Sequence, residues 1–482
     1  MKKEFIKGAN PYMPLWEHVP DGEPRVFEYK GKKRVYLYGS HDTLKTEYCG
    51  PDQVVWSAPI DDLTDWTCHG VCYTATDGGV LYAPDVVQKG DTFYMYAAEA
   101  KGSKIMVAES KNPAGPFKNP RLTELGFDPG ILVDDDGSVY AYWGFCHSYC
   151  AQLNDDMATI KKETFHDHPI GHTSAPWSKD DDGGLDLNSA FFEASSPRKI
   201  MGKYVYVYSK RAINHQPELG VYEDCNGFLS YKVSDKPLEG FADGGDISFN
   251  GGEIIFDKEG KGHMSFKWGN NHGSLMQVNG QWYIFYHRQT GVNEFSRQAM
   301  IEPVDIAMDK KGKIFIGKIT YDEKGEPVSS VPVEMTSQGP QVNGLDAYKW
   351  ISAGYAVHLY GGSKRPVINP TYEKTPSCFE YIYDITNGTT IGYRYLQFGL
   401  NSAKTVTADI EALADMTINI RIDSYQGKVI ASGKMVKGDN QFKTELTSGV
   451  IGKHAIYFEF LSNSNENIAI FNKFTFDNKS FF

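Results

Sequence analysis

Residues 127–140 read Phe-Asp-Pro-Gly-Ile-Leu-Val-Asp-Asp-Asp-Gly-Ser-Val-Tyr, and they combine a carboxylate, a buried strand and a tight turn. Asp128 precedes a proline, which disfavours helical backbone at Asp128 and predicts an extended segment. The acidic turn Asp134–Gly137 is ordinary hairpin chemistry and leads the chain into a second strand. Asp128 lies at the opposite end of the first strand from that turn. The stretch therefore predicts a β-hairpin that carries a carboxylate at its open end.

Four other segments share this design, a glycine turn followed by a strand dense in aromatic and β-branched residues. The five turn glycines are Gly31, Gly90, Gly137, Gly202 and Gly280. They are separated by 59, 47, 65 and 78 residues, which is near the length of a four-stranded blade with loop insertions. The uneven spacing argues against a solenoid, whose repeats stack uniformly. We therefore predict a five-bladed β-propeller.

The chain of 482 residues is too long for one hydrophobic core, so a second domain is expected. The propeller is predicted within residues 1–335, and the polar, turn-rich residues 336–345 are predicted to form a linker. Residues 346–482 contain short runs of period two, such as Met416-Thr-Ile-Asn-Ile-Arg-Ile-Asp, which are typical of a β-sandwich. The predicted fold class is all-β, a five-bladed β-propeller followed by a jelly-roll-like β-sandwich.

The composition narrows the range of partners and locations. The formal net charge is −12 without a basic block, which argues against nucleic acid or an anionic membrane as a partner. No stretch approaches the ~18 apolar residues of a membrane span, and the first ten residues lack an apolar signal core. Seven scattered cysteines, an odd number, fit reduced thiols better than a disulfide framework. We therefore expect a cytoplasmic protein.

Three carboxylates lie at the beginnings of predicted blades: Asp21, Asp128 and Glu193. The inner strands of all blades meet at a propeller axis, so these distant side chains are expected to share one pocket. Glu193 lies between aromatic and small residues, where burial would raise its pKa and keep the carboxyl protonated. Two carboxyl groups with separated pKa values on either side of a bond are suited to cleaving a glycoside.

These segments together resemble glycoside hydrolase family 43, a group of five-bladed β-propeller enzymes that act on arabinose- and xylose-containing polysaccharides and oligosaccharides. The resemblance covers roughly residues 8–330 and rests on several motifs in a fixed order. These motifs are Asp21 with Val35-Tyr-Leu-Tyr-Gly-Ser-His-Asp42, Tyr82-Ala-Pro-Asp-Val86, Asn112-Pro-Ala-Gly-Pro-Phe117, Asp128-Pro, Glu193 before Ser196-Pro, and His272-Gly-Ser with Tyr286-His-Arg288. A shorter C-terminal match, at Ile418-Asn-Ile-Arg-Ile-Asp-Ser, resembles a family 6-type carbohydrate-binding module.

The resemblance implies an inverting mechanism that uses three carboxylates. Asp21 would be the general base, Glu193 the general acid, and Asp128 the group that tunes and orients the acid. The family usually has a proline directly after the base, whereas this chain reads Asp21-Gly-Glu23-Pro24, so Glu23 remains the alternative base. We favour Asp21 because it preserves the spacing to the following Val-Phe pair and to His41-Asp42.

Four further residues are candidates on the same resemblance. His272 is expected near the propeller axis, where it could hold a water or the water shell of a calcium ion. Arg297 is expected either to contact a sugar hydroxyl or Asp128, or to form a surface ion pair. His41 and Asp42 are expected to shape the rim of the pocket and contact substrate. No cofactor is expected. A structural calcium ion remains open, although the chain has no complete EF-hand loop.

The predicted function is removal of terminal pentose, with α-L-arabinofuranose favoured, from arabinoxylan-derived oligosaccharides with inversion. A β-D-xylosidase acting on xylo-oligosaccharides is the first alternative, because both pentosides would use the same acid and base. A non-catalytic sugar-binding propeller is the second, and a protein-binding scaffold is the third. The C-terminal domain is expected to pack on the propeller, and to contribute stability or part of the pocket wall instead of binding polysaccharide.

Overall fold

A computed structural model describes residues 6–44, 46–172, 191–212, 225–267, 269–370 and 380–479 of the chain. Across these ranges the chain forms strands and three short 3-10 helices, Ala100–Gly102, Lys162–Thr164 and Ala353–Tyr355. The predicted all-β fold class is therefore confirmed. None of the helices in the described part of the chain has the length and apolar character needed to cross a membrane.

The N-terminal part of the chain forms five antiparallel sheets, each built from consecutive strands. The first contains β1 (Glu23–Tyr29), β2 (Lys32–Tyr38), β3 (Asp52–Pro59) and β4 (Thr67–Thr74). The second contains β5 (Asp85–Lys89), β6 (Thr92–Glu99), β7 (Lys104–Ser110) and β8 (Lys118–Leu122). The third contains β9 (Gly130–Val133), β10 (Val139–Trp143), β11 (His147–Gln152) and β12 (His166–His172).

The remaining N-terminal strands complete the same pattern. The fourth sheet contains β13 (Phe191–Ile200), β14 (Lys203–Ala212), β15 (Cys225–Ser234) and β16 (Ala242–Phe249), and a separate hairpin, β17 (Ile254–Phe256) with β18 (Gly262–Met264), follows it. The fifth sheet has five strands, β19 (Ser274–Val278), β20 (Gln281–Arg288), β21 (Gln298–Met308), β22 (Ile314–Tyr321) and β23 (Pro327–Val331). We call residues 23–331 the five-sheet region.

The five predicted glycine turns each join the first and second strands of a sheet. Their φ angles lie in the left-handed region, at 72°, 63°, 85°, 78° and 87° for Gly31, Gly90, Gly137, Gly202 and Gly280. In the described part of the chain no atom would lie within 4 Å of a Cβ added at these glycines, so backbone conformation and not space requires them. The turn glycines therefore fix the position of the first hairpin in each sheet.

The first strands of the five sheets contact one another in cyclic order. Strand β1 contacts β5 and β19, and β9 contacts β5 and β13. Strands β13 and β19 are joined by hydrogen bonds, since Arg198 Nε donates to the Leu275 carbonyl at 2.7 Å and Ser196 Oγ donates to Ser274 Oγ at 2.6 Å. Each first strand therefore has the first strands of two other sheets as neighbours.

A buried ionic network ties four of these strands together. Arg25 on β1 donates to Asp85 Oδ2 on β5 at 2.6 Å, and Asp85 accepts from the Ile131 N–H on β9 at 2.7 Å. Arg198 on β13 donates to Glu23 Oε1 on β1 at 2.7 Å. Because each buried charge here has an opposite charge or a backbone donor beside it, the desolvation cost of the network is offset by direct bonds.

The C-terminal part forms two six-stranded sheets, which together we call the C-terminal sheet pair (residues 345–477). One sheet contains β24 (Leu345–Asp346), β26 (His358–Tyr360), β29 (Thr389–Gln397), β31 (Met416–Ile422), β32 (Val429–Met435) and β34 (Lys453–Leu461). The other contains β25 (Ile351–Ser352), β27 (Val367–Ile368), β28 (Ile382–Ile385), β30 (Ala403–Ala412), β33 (Gln441–Val450) and β35 (Ala469–Asp477).

The C-terminal sheet pair and the five-sheet region share one hydrophobic core. A single cluster of buried side chains includes Ile284 and Met300 from the fifth sheet together with Ile351 and Leu359 from the C-terminal sheets. The Leu359 N–H also donates to the Ser265 carbonyl at 2.6 Å. The two parts are therefore packed against each other, while domain boundaries at residues 335 and 346 stay a prediction.

Candidate active site

A cavity of about 620 Å³ opens beside the beginnings of the first strands. Asp21, Asp128 and Glu193 all line it. Asp21 and Asp128 each lie two residues before a first strand, β1 and β9, and Glu193 is the third residue of β13. His272 and Arg297 line the same cavity. The three carboxylates, although 172 residues apart at the extremes, thus share one pocket.

The backbone at all three carboxylates departs from regular strand geometry. Asp21 and Asp128 have φ angles of 58° and 49°, and Ala194, next to Glu193, has a φ of 66°. Left-handed backbone is uncommon outside glycine, although aspartate adopts it more readily than most residues. Around Glu193 the pairing of β13 with β14 also shifts register, as in a β-bulge. These irregularities turn the carboxylates out of the sheets and towards the cavity.

Asp21 is held as a carboxylate by cationic and hydroxyl partners. Arg297 Nη1 donates to Asp21 Oδ1 at 2.9 Å, and Ser40 Oγ donates to Asp21 Oδ2 at 2.5 Å. Burial alone would raise the pKa of Asp21, but the charge of Arg297, helped by His272 and by the Ser40 hydrogen bond, outweighs burial, and the pKa lies below its ordinary value. Asp21 is therefore ionised at neutral pH.

His287 orients the backbone of Asp21. Burial lowers the pKa of His287 to about 4, with the nearby Arg297 charge acting in the same direction, so the imidazole is neutral. Its Nε2–H donates to the Asn270 carbonyl at 2.6 Å, which leaves Nδ1 to accept the Asp21 N–H at 3.2 Å. These partners assign the tautomer and fix the position of Asp21.

Asp42 holds Arg297 and does not line the cavity. It accepts from Arg297 Nε at 3.0 Å, from Nη2 at 2.9 Å and from the Arg297 N–H at 3.0 Å. It also accepts from the Cys49 N–H at 3.0 Å and is buried. The substrate contact expected of Asp42 is therefore revised, because its oxygens are occupied in orienting the arginine that binds Asp21.

His41 also lies off the cavity wall. Its Nδ1 is 2.6 Å from Asp52 Oδ1 and its Nε2 is 3.0 Å from Glu17 Oε1. Burial opposes protonation, but hydrogen bonds to these two carboxylates raise the pKa of His41 to about 9. The expected substrate contact is revised here too, since both ring nitrogens are engaged in an ionic bridge.

Glu193 has the opposite ionisation to Asp21. Burial raises its pKa well above the ordinary value, and the charge of Asp128 raises it further, while Asp21 makes a smaller contribution in the same direction. Burial and the Asp128 charge therefore both favour the protonated form of Glu193.

Asp128 links the acid to His272. Asp128 Oδ2 accepts from the Ala194 N–H at 3.2 Å and lies 3.5 Å from His272 Nδ1. Burial raises the pKa of Asp128, with the Asp21 charge adding to the rise and the His272 contact opposing it. Burial also disfavours the charged form of His272, but Asp128 prevails and raises the pKa of His272 to about 9.

His272 is the residue at which the sequence left a water or the water shell of a calcium ion open. Its Nδ1 lies 3.5 Å from Asp128 Oδ2, so this nitrogen has a carboxylate partner. Calcium prefers several oxygen ligands, and across the described ranges no group of three or more His, Cys, Asp or Glu side chains could hold a metal ion. The structure thus gives His272 an ion pair with Asp128, and its metal role stays a prediction.

Glu23, the alternative base, does not line the cavity. Its Oε1 accepts from Arg198 at 2.7 Å and lies 3.3 Å from Arg25 Nη2, and Ser196 Oγ approaches both of its oxygens at 3.2 Å. Burial opposes ionisation, but the two arginines keep the pKa of Glu23 below its ordinary value. Glu23 therefore serves the ionic network between the first strands, and Asp21 is the carboxylate that faces the pocket.

Aromatic side chains form one wall of the cavity, which we call the aromatic wall (Tyr82, Phe127, Phe145 and Phe192). Successive ring centroids along it are 5.7, 5.6 and 5.1 Å apart. Phe145 is 43% exposed, so part of the wall is open to a ligand. Phe127 and Phe192 directly precede Asp128 and Glu193, which is a signal that sequence reasoning could have used; Phe145 carries no such signal.

Two further lining residues were missed in the sequence. The Arg297 guanidinium lies 5.0 Å from the centre of the Tyr48 ring, and the Tyr48 hydroxyl donates to Glu294. Tyr48 and Glu294 come from separate loops and both line the cavity. Their pairing spans 246 residues, so no local pattern indicates it.

Comparison with known proteins identifies the family of this chain. A model of the family "Glycosyl hydrolases family 43" matches residues 23–311. A xylosidase/arabinosidase from Thermoclostridium stercorarium is 30% identical over 96% of this chain and 98% of its own length. An arabinoxylan arabinofuranohydrolase from Paenibacillus polymyxa is 26% identical over 94% of this chain and 72% of its own length.

Among solved structures, a family 43 arabinoxylan arabinofuranohydrolase from Bacillus subtilis in complex with cellotetraose is 20% identical, with a TM-score of 0.47 and 99% of both chains covered. The family model covers more than half of this chain and includes two of the three predicted catalytic carboxylates, Asp128 and Glu193. The chain therefore belongs to glycosyl hydrolase family 43 and is a glycoside hydrolase.

Proposed function

We propose that this glycoside hydrolase removes terminal pentose from arabinoxylan-derived oligosaccharides with inversion, and that α-L-arabinofuranose is the favoured sugar. The observation that carries the proposal is the opposite ionisation of two carboxyl groups in one cavity. The pKa of Asp21 is lowered by Arg297 in spite of burial, and that of Glu193 is raised by burial and by Asp128. A base and an acid are thus both ready at neutral pH.

The mechanism follows from this division. Asp21 accepts a proton from a water molecule, whose oxygen attacks the anomeric carbon. Glu193 donates its proton to the glycosidic oxygen, so the bond to the leaving sugar breaks without forming an alkoxide. Asp128 disfavours ionisation of Glu193 by its charge and stays in place through His272 and the Ala194 N–H.

The aromatic wall supports binding of a sugar ring. Aromatic faces stack on the apolar C–H faces of sugars, and the partly exposed Phe145 leaves room for such contact. The carboxylates lie on the same cavity, so a stacked pentose would present its glycosidic bond to them. The aromatic wall is therefore proposed as the binding surface next to the cleaved bond.

The choice of pentose rests on the relatives. One similar protein is a xylosidase/arabinosidase and another is an arabinoxylan arabinofuranohydrolase, which supports pentosides as the substrate class. The β-D-xylosidase alternative is retained, because the same acid and base would serve either sugar. Hydrolysis of paired nitrophenyl α-L-arabinofuranoside and β-D-xyloside by the wild-type enzyme would rank the two sugars.

Variants of the carboxylates test the assignments. We expect Glu193→Gln to abolish hydrolysis of arabinoxylan oligosaccharides, whose poor leaving group needs an acid. Asp21→Asn should abolish hydrolysis of oligosaccharides and of nitrophenyl pentosides alike, because both need the base. The matched control is Glu23→Gln, which should reduce thermal stability and retain the base. Full activity in Asp21→Asn and none in folded Glu23→Gln would reverse the assignment of the base.

We further propose that the five sheets close radially into a five-bladed β-propeller and that the C-terminal sheet pair is a β-sandwich. The cyclic contacts between the first strands support the former, and the shared apolar core supports the latter. A crystal structure in which the first strands do not surround an axis would contradict the proposed propeller. A cytoplasmic location is likewise proposed, and cell fractionation tests it.

A further inference from the structure

The end of the β20–β21 hairpin has two faces with different partners. Arg288 and Gln298 pair across the hairpin, and His287 pairs with Ala299. Side chains alternate along a strand, so the neighbours His287 and Arg297 point away from Arg288 and Gln298. His287 and Arg297 both contact Asp21, whereas Arg288 and Gln298 contact the C-terminal sheet pair.

Arg288 is a fully buried cation held by the C-terminal part of the chain. Its Nη1 donates to the Ala356 carbonyl and its Nη2 to the Gly354 carbonyl, each at 2.5 Å. The same guanidinium donates to Gln298 Oε1 from Nε at 3.2 Å and from Nη2 at 3.0 Å. Burial lowers the pKa of Arg288 to about 10, so it stays charged at neutral pH.

Gln298, the partner of Arg288, also bonds to the C-terminal part through Glu380. Its Nε2 donates to Glu380 Oε2 at 2.8 Å and to the Leu15 carbonyl at 3.1 Å, and both Gln298 and Glu380 are buried. Glu380 is in turn fixed, since its carbonyl accepts from the Gly354 N–H at 3.0 Å. Gly354 and Glu380 are therefore bonded to each other, and each also accepts a hydrogen bond from the hairpin end. We call these two residues the support.

The loop between the two strands is supported from the same side. The Ile368 N–H donates to the Thr290 carbonyl at 3.1 Å, and Thr290 and Ser296 hydroxyls are 2.5 Å apart. This loop contributes Glu294 and Arg297 to the cavity. The C-terminal sheet pair thus contacts the base of a loop whose far side reaches the active site.

We propose that the C-terminal sheet pair positions the catalytic base, with Arg288, Gln298 and Glu380 as positioning residues that hold His287 and Arg297 against Asp21. The inference rests on the proposed role of Asp21 as general base. It gives the C-terminal part a role in catalysis although none of its described residues lines the cavity.

The test compares variants that weaken the Gln298–Glu380 contact to different degrees. Glu380→Leu and the milder Glu380→Asp and Gln298→Asn weaken the contact, whereas Glu380→Gln keeps an acceptor for Gln298. Glu253→Gln is the matched control, since Glu253 pairs with Arg394 and His358 between the same two parts of the chain, and its described polar contacts lie outside the hairpin end.

The primary readout is the titration of the Asp21 carboxyl carbon, followed by NMR in protein with 13C-labelled aspartate and assigned with Asp21→Asn. Loosening Arg297 should raise the pKa of Asp21 in the weakened variants and leave it unchanged in Glu380→Gln and Glu253→Gln. Kinetically, we expect kcat to fall roughly tenfold with KM within about twofold, and the acidic limb of the kcat/KM profile to move to higher pH.

The outcomes separate this inference from the proposed function. The NMR titration needs no turnover, so a wild-type enzyme inactive on pentosides would refute the proposed substrate and still leave the positioning role tested. A loss of thermal stability alone, with the Asp21 titration unchanged in every folded weakened variant, would overturn the inference. An equal shift in the Glu253→Gln control would overturn it as well.

Discussion

Replacement of Arg297 by methionine is the perturbation with the largest expected effect on the charges of the site. Arg297 Nη1 lies 2.9 Å from Asp21 Oδ1 and Nη2 lies 2.9 Å from Asp42 Oδ1, with all three side chains buried. At an effective dielectric constant of ~20, each contact corresponds to an attraction of about 6 kcal/mol before desolvation. Removal of one partner from a buried ion pair costs about 3–5 kcal/mol, which is the loss of stability we expect at pH 7.

The dependence of that loss on pH follows from the pKa of Asp21. In the wild-type protein the folded pKa is below the unfolded value, so the Asp21 interaction stabilises the fold above the unfolded pKa and is lost as the pH falls through the folded pKa. Without Arg297, burial would raise the folded pKa above the unfolded value. The loss of unfolding free energy in Arg297→Met should therefore be greatest near neutral pH. It should become smaller as acidification protonates the Asp21 carboxyl.

Two assays check this prediction. Urea denaturation between pH 4 and pH 8 measures the free energy of unfolding, and the pH profile of kcat/KM reports the pKa of the base. The acidic limb of Arg297→Met should move to higher pH, because Asp21 must be ionised to act. Lys199→Met, which removes a cation from the partly exposed pair with Asp134, should cost less than about 1 kcal/mol. An acidic limb of Arg297→Met that coincides with the wild-type limb would refute the reasoning.

Three other predictions concern the acid, the aromatic wall and the C-terminal part. Asp128→Asn should move the basic limb of the kcat/KM profile to lower pH, because the charge of Asp128 raises the pKa of Glu193; an unmoved limb would contradict this. Phe145→Ala should raise KM by roughly tenfold with little change in kcat, whereas Phe165→Ala, exposed but outside the cavity, should change neither. A chain that ends at residue 335 should fail to give soluble, cooperatively folding protein, because the hydrophobic core includes the removed sheets; a stable truncated enzyme would contradict that expectation.

Features of the fold that depend on local chemistry could be predicted from the sequence. Gly31 and the other turn glycines need left-handed backbone, and the strands after them have an evident period, so all five hairpins were located correctly. The positions of Asp21, Asp128 and Glu193 before or within first strands followed from the same hairpins. Closure of the sheets around an axis is a long-range property, so it stays a prediction from the number and spacing of the glycine turns.

Features of the site that depend on long-range pairing could not be predicted. The partner of Asp42 is Arg297, 255 residues away. The sequence around Asp42 therefore does not show whether its side chain lies at the rim of the pocket or is buried against an arginine. His41 precedes Asp42 directly, yet it pairs with Glu17 and Asp52 and lies off the cavity. Asp128 and His272 are 144 residues apart, and only their contact shows that Asp128 raises the pKa of the imidazole.

The central claim is that Asp21 activates water while Glu193 protonates the leaving group, with no covalent sugar intermediate. The anomeric configuration of the first sugar released measures this most directly, by proton NMR during early turnover of a nitrophenyl pentoside. Because water attacks opposite the departing group, the account predicts a first product of inverted configuration. A first product of retained configuration would require a carboxylate nucleophile and would contradict the roles assigned to Asp21 and Glu193.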